Sequence, residues 1–219
     1  MIWYFAVFVG FLYWLGALGR SGVAFEELAA IPKPLIVTMK GLFTFLLALS
    51  VSLSGKSRAR FWISIALVLS AIGDVLLVTA GPVAGGLLFA IAHTTAGYAY
   101  FSQRQNNVTS LRWIAALSVP AIAVAASYFV LEGTKQPILM SLFPLLSGTM
   151  AALAIVSRFP LWLSGLGAAI FVQSDVLFLA NLGILNGNGK LGFLTWAAYA
   201  IGYAMVARGA SVYAHFQKF

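Results

Sequence analysis

The chain contains no cysteine, which excludes disulfides, thiolate metal sites and cysteine nucleophiles. Its only histidines are His93 and His215, the latter near the C-terminal end; catalytic zinc usually takes three protein ligands, so a histidine-rich metal centre is not expected. No GxGxxG or GxxxxGK loop is present to hold a nucleotide. Charge is scarce as well. Charged residues make up 8% of the 219 positions, where a soluble globular domain carries roughly 25%. Acidic residues number five, and three of them (Glu26, Glu27 and Glu132) fall in expected loops.

What is present is apolar length. Hydrophobic residues account for 62% of the chain and mean hydropathy is +0.97, so the sequence predicts an all-α polytopic membrane protein. At ~20 apolar residues per span, eight helices are expected, over about 1–19, 34–53, 61–80, 83–102, 111–131, 137–157, 161–181 and 190–211. The connections between them are short, leaving residues 1–219 as one integral membrane domain with its chemistry inside the bundle or at its edge. The first run lacks a basic leading region and an obvious cleavage site, and reads as a helix rather than a signal peptide. Net charge is +8, but the thirteen Lys and Arg are dispersed between apolar runs, a topology signal rather than a nucleic-acid face. Lys56, Arg58, Arg60, Arg104, Arg112, Arg158 and Lys218 fall on one side; Arg20, Lys33, Lys135 and Lys190 fall on the other. The positive-inside rule then places both termini in the cytoplasm, in keeping with a bacterial inner membrane. The six tryptophans lie near expected helix ends and read as interfacial anchors, while the many glycines and alanines suit close helix packing.

Against this background two acids stand out. Asp74 in SAIGDVLLV and Asp175 in FVQSDVLFL lie within expected spans, where an ionisable group is a functional hypothesis by default. Each is about fourteen residues from the cytoplasmic start of its helix, ~21 Å at 1.5 Å per residue, so the two share one depth. Lys40 enters about six residues, ~9 Å, from the opposite side and reaches the same layer, with His93 closer to the midplane. If these helices are neighbours, the three charges converge. A weak internal echo points the same way: Lys33-Pro34-Leu35-Ile36 recurs as Lys135-Gln136-Pro137-Ile138, Asp74-Val75-Leu76 as Asp175-Val176-Leu177, and Gly97-Tyr98-Ala99 as Gly202-Tyr203-Ala204. The chain therefore reads as a possible 4+4 parallel repeat about an axis along the membrane normal.

Two carboxyls at one depth can share a proton and act as general acid and general base. The blander alternative is that one of them merely pairs with Lys40 or ties helices together. His93, flanked by Ala92 and Thr94, has the same two readings, and Gln173, Ser174 and Asn181 on helix 7 read first as interhelical hydrogen-bonders.

The order of these features resembles the lysoplasmalogenase family, eight-helix membrane hydrolases that cleave the vinyl ether of lysoplasmalogens. The resemblance rests on Lys33-Pro34-Leu35 opening helix 2, Gly73-Asp74 followed by Leu76-Leu77, Ala92-His93, Ser174-Asp175, and Tyr199-x-x-Gly202, and it covers nearly the whole chain. The sequence departs from the family pattern at Ala96, where a tyrosine is usual, with Tyr98 and Tyr100 further on, and at Tyr203, where Gln or His is usual. The resemblance implies Asp74 and Asp175 as acid and base in unassigned order, His93 tuning or orienting one of them, and no metal or organic cofactor. It implies substrate contacts at Lys33 or Lys40 for the phosphate and at Tyr98, Tyr199, Tyr203 and Ser174. The implied partners are a lysophospholipid, water and the surrounding membrane lipids, with no nucleic acid. Two other functions fit the same residues: a small proton-coupled transporter, and an idle relative that only binds lysolipid.

Overall fold

The computed structural model describes residues 1–131, 134, 137–185 and 191–213, without the side chains of Glu26 and residues 137–139. Glu132, Lys135, Lys190, His215 and Lys218, which entered the expectations above, lie outside the described residues. Eight α-helices follow one another: α1 Ile2–Arg20, α2 Lys33–Ser52, α3 Arg58–Thr79, α4 Pro82–Phe101, α5 Ser110–Val130, α6 Pro137–Val156, α7 Leu166–Leu182 and α8 Gly192–Val212. A helix lies at each of the eight expected positions, with ends displaced by a few residues. A short 3-10 helix at Glu26–Ala30 and a π-helical turn at Leu161–Gly165, leading into α7, are the additions.

Local chemistry sets the ends. Ser57 and Thr109 cap α3 and α5 by accepting from the amides of Arg60 and Arg112. Proline opens α4 and occupies the first turn of α2, where a missing N–H costs nothing. Helices α1, α2, α3, α5 and the run from Leu161 to Leu182 are long and apolar enough to cross a membrane, and the protein is an integral membrane protein built as a helical bundle.

Helices α1, α2, α3, α4, α6, α7 and α8 form a closed circuit of neighbours, with α5 outside against α6 and α7. Helix α8 also reaches inward to α2 and α3. The neighbour pattern is partly that of a repeat: α4 meets α6 as α8 meets α2. It is not a full one, because α1 packs on α8 while α4 and α5 make no corresponding contact among the described residues. Glycine decides two crossings. A Cβ on Gly85 would stand 2.8 Å from the backbone of Leu77, drawing α4 onto α3, and one on Gly202 would stand 2.7 Å from the carbonyl of Gly167, drawing α8 onto α7. These are the helix pairs that carry the aspartates.

Two arginines read as topology markers have structural work. Arg60 is buried and donates to the carbonyls of Ala210 (3.0 Å), Ser211 (2.8 Å) and Ser54 (3.0 Å). Arg112 donates to the carbonyls of Ile155 and Ser157 and to Gln105 Oε1. Each satisfies the orphan carbonyls at a helix C-terminus. Tryptophan shows a similar correction. Trp113 and Trp162 are exposed as anchors should be, but Trp196 is buried and donates to the carbonyl of Gly10 at 2.9 Å, and Trp3 donates to Ala204.

Candidate active site

Asp74 sits one and a half turns before the end of α3 and is fully buried. Its Oδ1 faces Lys40 Nζ of α2 at 3.1 Å. Its Oδ2 accepts from Thr44 Oγ1 at 2.9 Å and from the Tyr199 hydroxyl of α8. The two hydroxyls stand 3.0 Å apart, both directed at the same carboxylate oxygen. Thr44 lies four residues beyond Lys40, on the same face of α2, so one helix supplies both the cation and a donor. Helices α2, α3 and α8 are thereby joined through one carboxylate.

Asp175 on α7 is in a different setting. It is 7% exposed, the Ser147 hydroxyl of α6 is within hydrogen-bonding reach, and its Oδ2 has no partner among the described residues. Lys40 is committed to Asp74 and no second cation is paired with Asp175 among the described residues.

Both aspartates line one cavity of about 460 Å³. Lys40, Ser174, Asn181, Thr195 and Tyr199 belong to its polar wall, and Tyr13 and Trp196 also line it. The remainder is apolar: Phe89, Phe143 and Phe171 close it on the His93 side, Phe178 lines it about one turn beyond Asp175, and Val83, Leu87, Leu142 and Leu146 of α4 and α6 are exposed on the outer flank of the bundle. The cavity therefore opens sideways between α4 and α6, at the end where α3 finishes and α4 begins. A site of this shape, apolar with a few convergent polar groups, suits an amphiphile with a long hydrocarbon arm.

The other sequence-derived residues are distributed as follows. His93 is 2% exposed and does not line the cavity; its ring is packed against those of Phe171 (5.2 Å), Phe143 (5.7 Å) and Phe89 (6.1 Å), one layer below the carboxyls. Its Nε2 has no hydrogen-bond partner among the described residues. Tyr203 lies in that lower layer too, exchanging a hydrogen bond with Ser70 at 2.8 Å and stacked on Phe171 at 4.3 Å. Tyr98 is at the opposite end of the bundle, where it is half exposed and accepts from Arg58 at 3.1 Å. Lys33 is exposed at the start of α2, outside the cavity wall. Ser174 lines the cavity but donates its hydroxyl to the Phe171 carbonyl at 2.7 Å.

Sequence reasoning missed Thr44, and set aside Asn181 as an interhelical hydrogen-bonder and Trp196 as an interfacial anchor, although both line the cavity. Thr44 had a signal in its i+4 spacing from Lys40. Asn181 at i+6 is off the Asp175 face by helical geometry, yet it reaches the same cavity because the site is wide enough to take in the end of α7. Trp196 stacks on Tyr199 at 5.0 Å and fixes the ring whose hydroxyl meets Asp74.

A family model described as the YhhN family matches residues 35–210, a segment that contains both carboxyls, Lys40, Thr44 and Tyr199. No curated protein and no solved structure matches the chain.

Proposed function

The chain belongs to the YhhN family, the match covering most of its length, and from that premise we propose that it is a lysoplasmalogenase-type hydrolase. That family includes lysoplasmalogenases. The observation that carries the reading is the contrast between two carboxyls on one apolar cavity. Asp74 has an ammonium ion and two hydroxyl donors, the surroundings an anion needs; Asp175 has neither a cation nor a full set of donors.

In this reading Asp175 is the proton donor. It protonates the vinyl-ether carbon remote from the ether oxygen, and the electron pair of the double bond forms the new C–H bond. The resulting oxocarbenium ion is stabilised by the Asp74 carboxylate, and a water adds to it, losing its proton to the Asp175 carboxylate. The hemiacetal collapses to a fatty aldehyde and the glycerophospho-alcohol, so one water is consumed and no redox change occurs. Thr44, Tyr199 and Lys40 hold the Asp74 charge in place before the substrate arrives, which is where electrostatic catalysis gains most. The hydrocarbon arm enters between α4 and α6. Lys33, seven residues from Lys40 and so ~10 Å further toward the membrane surface on the same helix, meets the phosphate. His93 acts as a positioning residue through the Phe89 and Phe171 rings.

The test is fatty aldehyde release from a lysoplasmalogen by purified protein, with Asp74→Asn and Asp175→Asn variants of verified fold. Aldehyde from the unmodified protein and none from either variant is expected. Full turnover in both variants would overturn the scheme, and gradient-driven uptake by reconstituted protein without product would make the chain a carrier.

A further inference from the structure

A second cleft, of about 710 Å³, lies at the other end of the bundle from the aspartates, between the last turns of α2 and the first turns of α3. Its walls are apolar, with Phe45 and Phe61 about half exposed and Ile65 and Val68 continuing along α3. Its head is basic. Lys56 and Arg58 stand at the mouth, exposed, and Arg60 lies at the floor.

Arg60 has no carboxylate partner among the described residues. Its guanidinium is filled by the carbonyls of Ser54, Ala210 and Ser211, which satisfy its N–H groups and offer only the partial negative charge of a helix end. Arg58 spends one N–H on the Tyr98 hydroxyl, leaving others of its five free to donate. Lys56 has no ion-pair partner among the described residues, where the sole ion pair is Lys40 with Asp74 at the opposite end. The N-terminus of α3 adds its partial positive charge at the same point. The Ser64 hydroxyl, on the cleft wall, is buried and has no partner among the described residues. Among the described residues no carboxylate pairs with the three cations around this cleft, a setting that favours an anion.

The cleft also has a length. From Arg58 to Val68 is ten residues of helix, ~15 Å, about half of a ~30 Å hydrocarbon core. We propose that this cleft binds one anionic phospholipid of the adjoining leaflet, its phosphate held by Lys56 and Arg58 and an acyl chain laid along Phe45, Phe61 and Ile65. A free phosphate would use the basic head and leave the apolar wall idle; a zwitterionic lipid would bring its own cation to a site that already has three. Basic pockets between transmembrane helices are recognised places for such headgroups. Tyr98 then serves this end of the molecule, fixing Arg58, rather than the aspartate cavity.

The test is native mass spectrometry of the detergent-solubilised full chain titrated with phosphatidylglycerol or phosphatidylcholine of identical acyl chains. The protein is expected to retain phosphatidylglycerol preferentially, and Lys56→Gln/Arg58→Gln to weaken that binding about thirtyfold, from two lost juxtamembrane charges. Both side chains are exposed, so the double variant keeps its fold. Arg20→Gln, at the far end, should leave binding unchanged. Equal binding of phosphatidylcholine, an unaltered double variant, an equal loss in Arg20→Gln, or equal affinity for acyl-free glycerophosphoglycerol would each overturn the proposal.

Discussion

Lys40 Nζ lies 3.1 Å from Asp74 Oδ1 in the interior of the bundle, forming the sole ion pair among the described residues. Asp175, on the same cavity, has no such partner. The two acids thus share a depth and a cavity but not an environment, and several outcomes follow from that difference.

Lys40→Met leaves the Asp74 carboxylate buried with hydroxyl donors alone, and breaking a buried pair in this way costs about 3–5 kcal/mol. Thermal unfolding in detergent should show a large fall for Lys40→Met and recovery of most of it in Lys40→Met/Asp74→Asn. A double variant no more stable than Lys40→Met would show that the pair is not what couples the two residues.

Proton transfer to carbon leaves a label. In heavy water the fatty aldehyde should carry one deuterium at the carbon next to the carbonyl, read directly by mass spectrometry of the product. Aldehyde without that deuterium would exclude protonation of the double bond as the first step.

Tyr199→Phe and Thr44→Val each remove one donor to Asp74 Oδ2 while keeping side-chain shape. A lost donor to a buried charged group is worth about 1–3 kcal/mol, so each variant should lose roughly tenfold to a hundredfold in kcat, with KM little changed. A change confined to KM would instead make them substrate contacts.

His93→Leu keeps the ring layer filled without the imidazole. Because His93 meets the cavity only through Phe89, Phe143 and Phe171, kcat should fall by less than about tenfold, below the 10²–10⁴ expected for a group that itself transfers a proton. A loss as large as that of Asp175→Asn would place His93 in the proton path.

Gly202→Ala puts a methyl group 2.7 Å from the Gly167 carbonyl and 2.8 Å from the Phe171 amide. Helices α7 and α8 must part, moving Asp175 relative to Tyr199, and both stability and turnover should drop. Gly86→Ala, on the cavity side of α4 with open space where its Cβ would stand, is the control and should keep or slightly raise stability.

The sequence by itself determined the eight helices and the shared layer of Asp74, Asp175 and Lys40. Span length is fixed by bilayer thickness and depth by a constant rise of 1.5 Å per residue, so both can be counted along the chain. Position around each helix is another matter. A soluble helix advertises its buried side by a polar opposite face, but a lipid-facing helix is apolar all round, and the pattern that would orient it is missing. Only the tertiary structure decided that Lys40 meets Asp74 and not Asp175, that Thr44 and Tyr199 converge on one oxygen, that Trp196 is buried while Trp162 is exposed, and that Tyr98 belongs to Arg58 at the other end. Glycines let α3 meet α4 and α7 meet α8 at backbone distance, because in a membrane close packing, not exclusion of water, selects which faces touch.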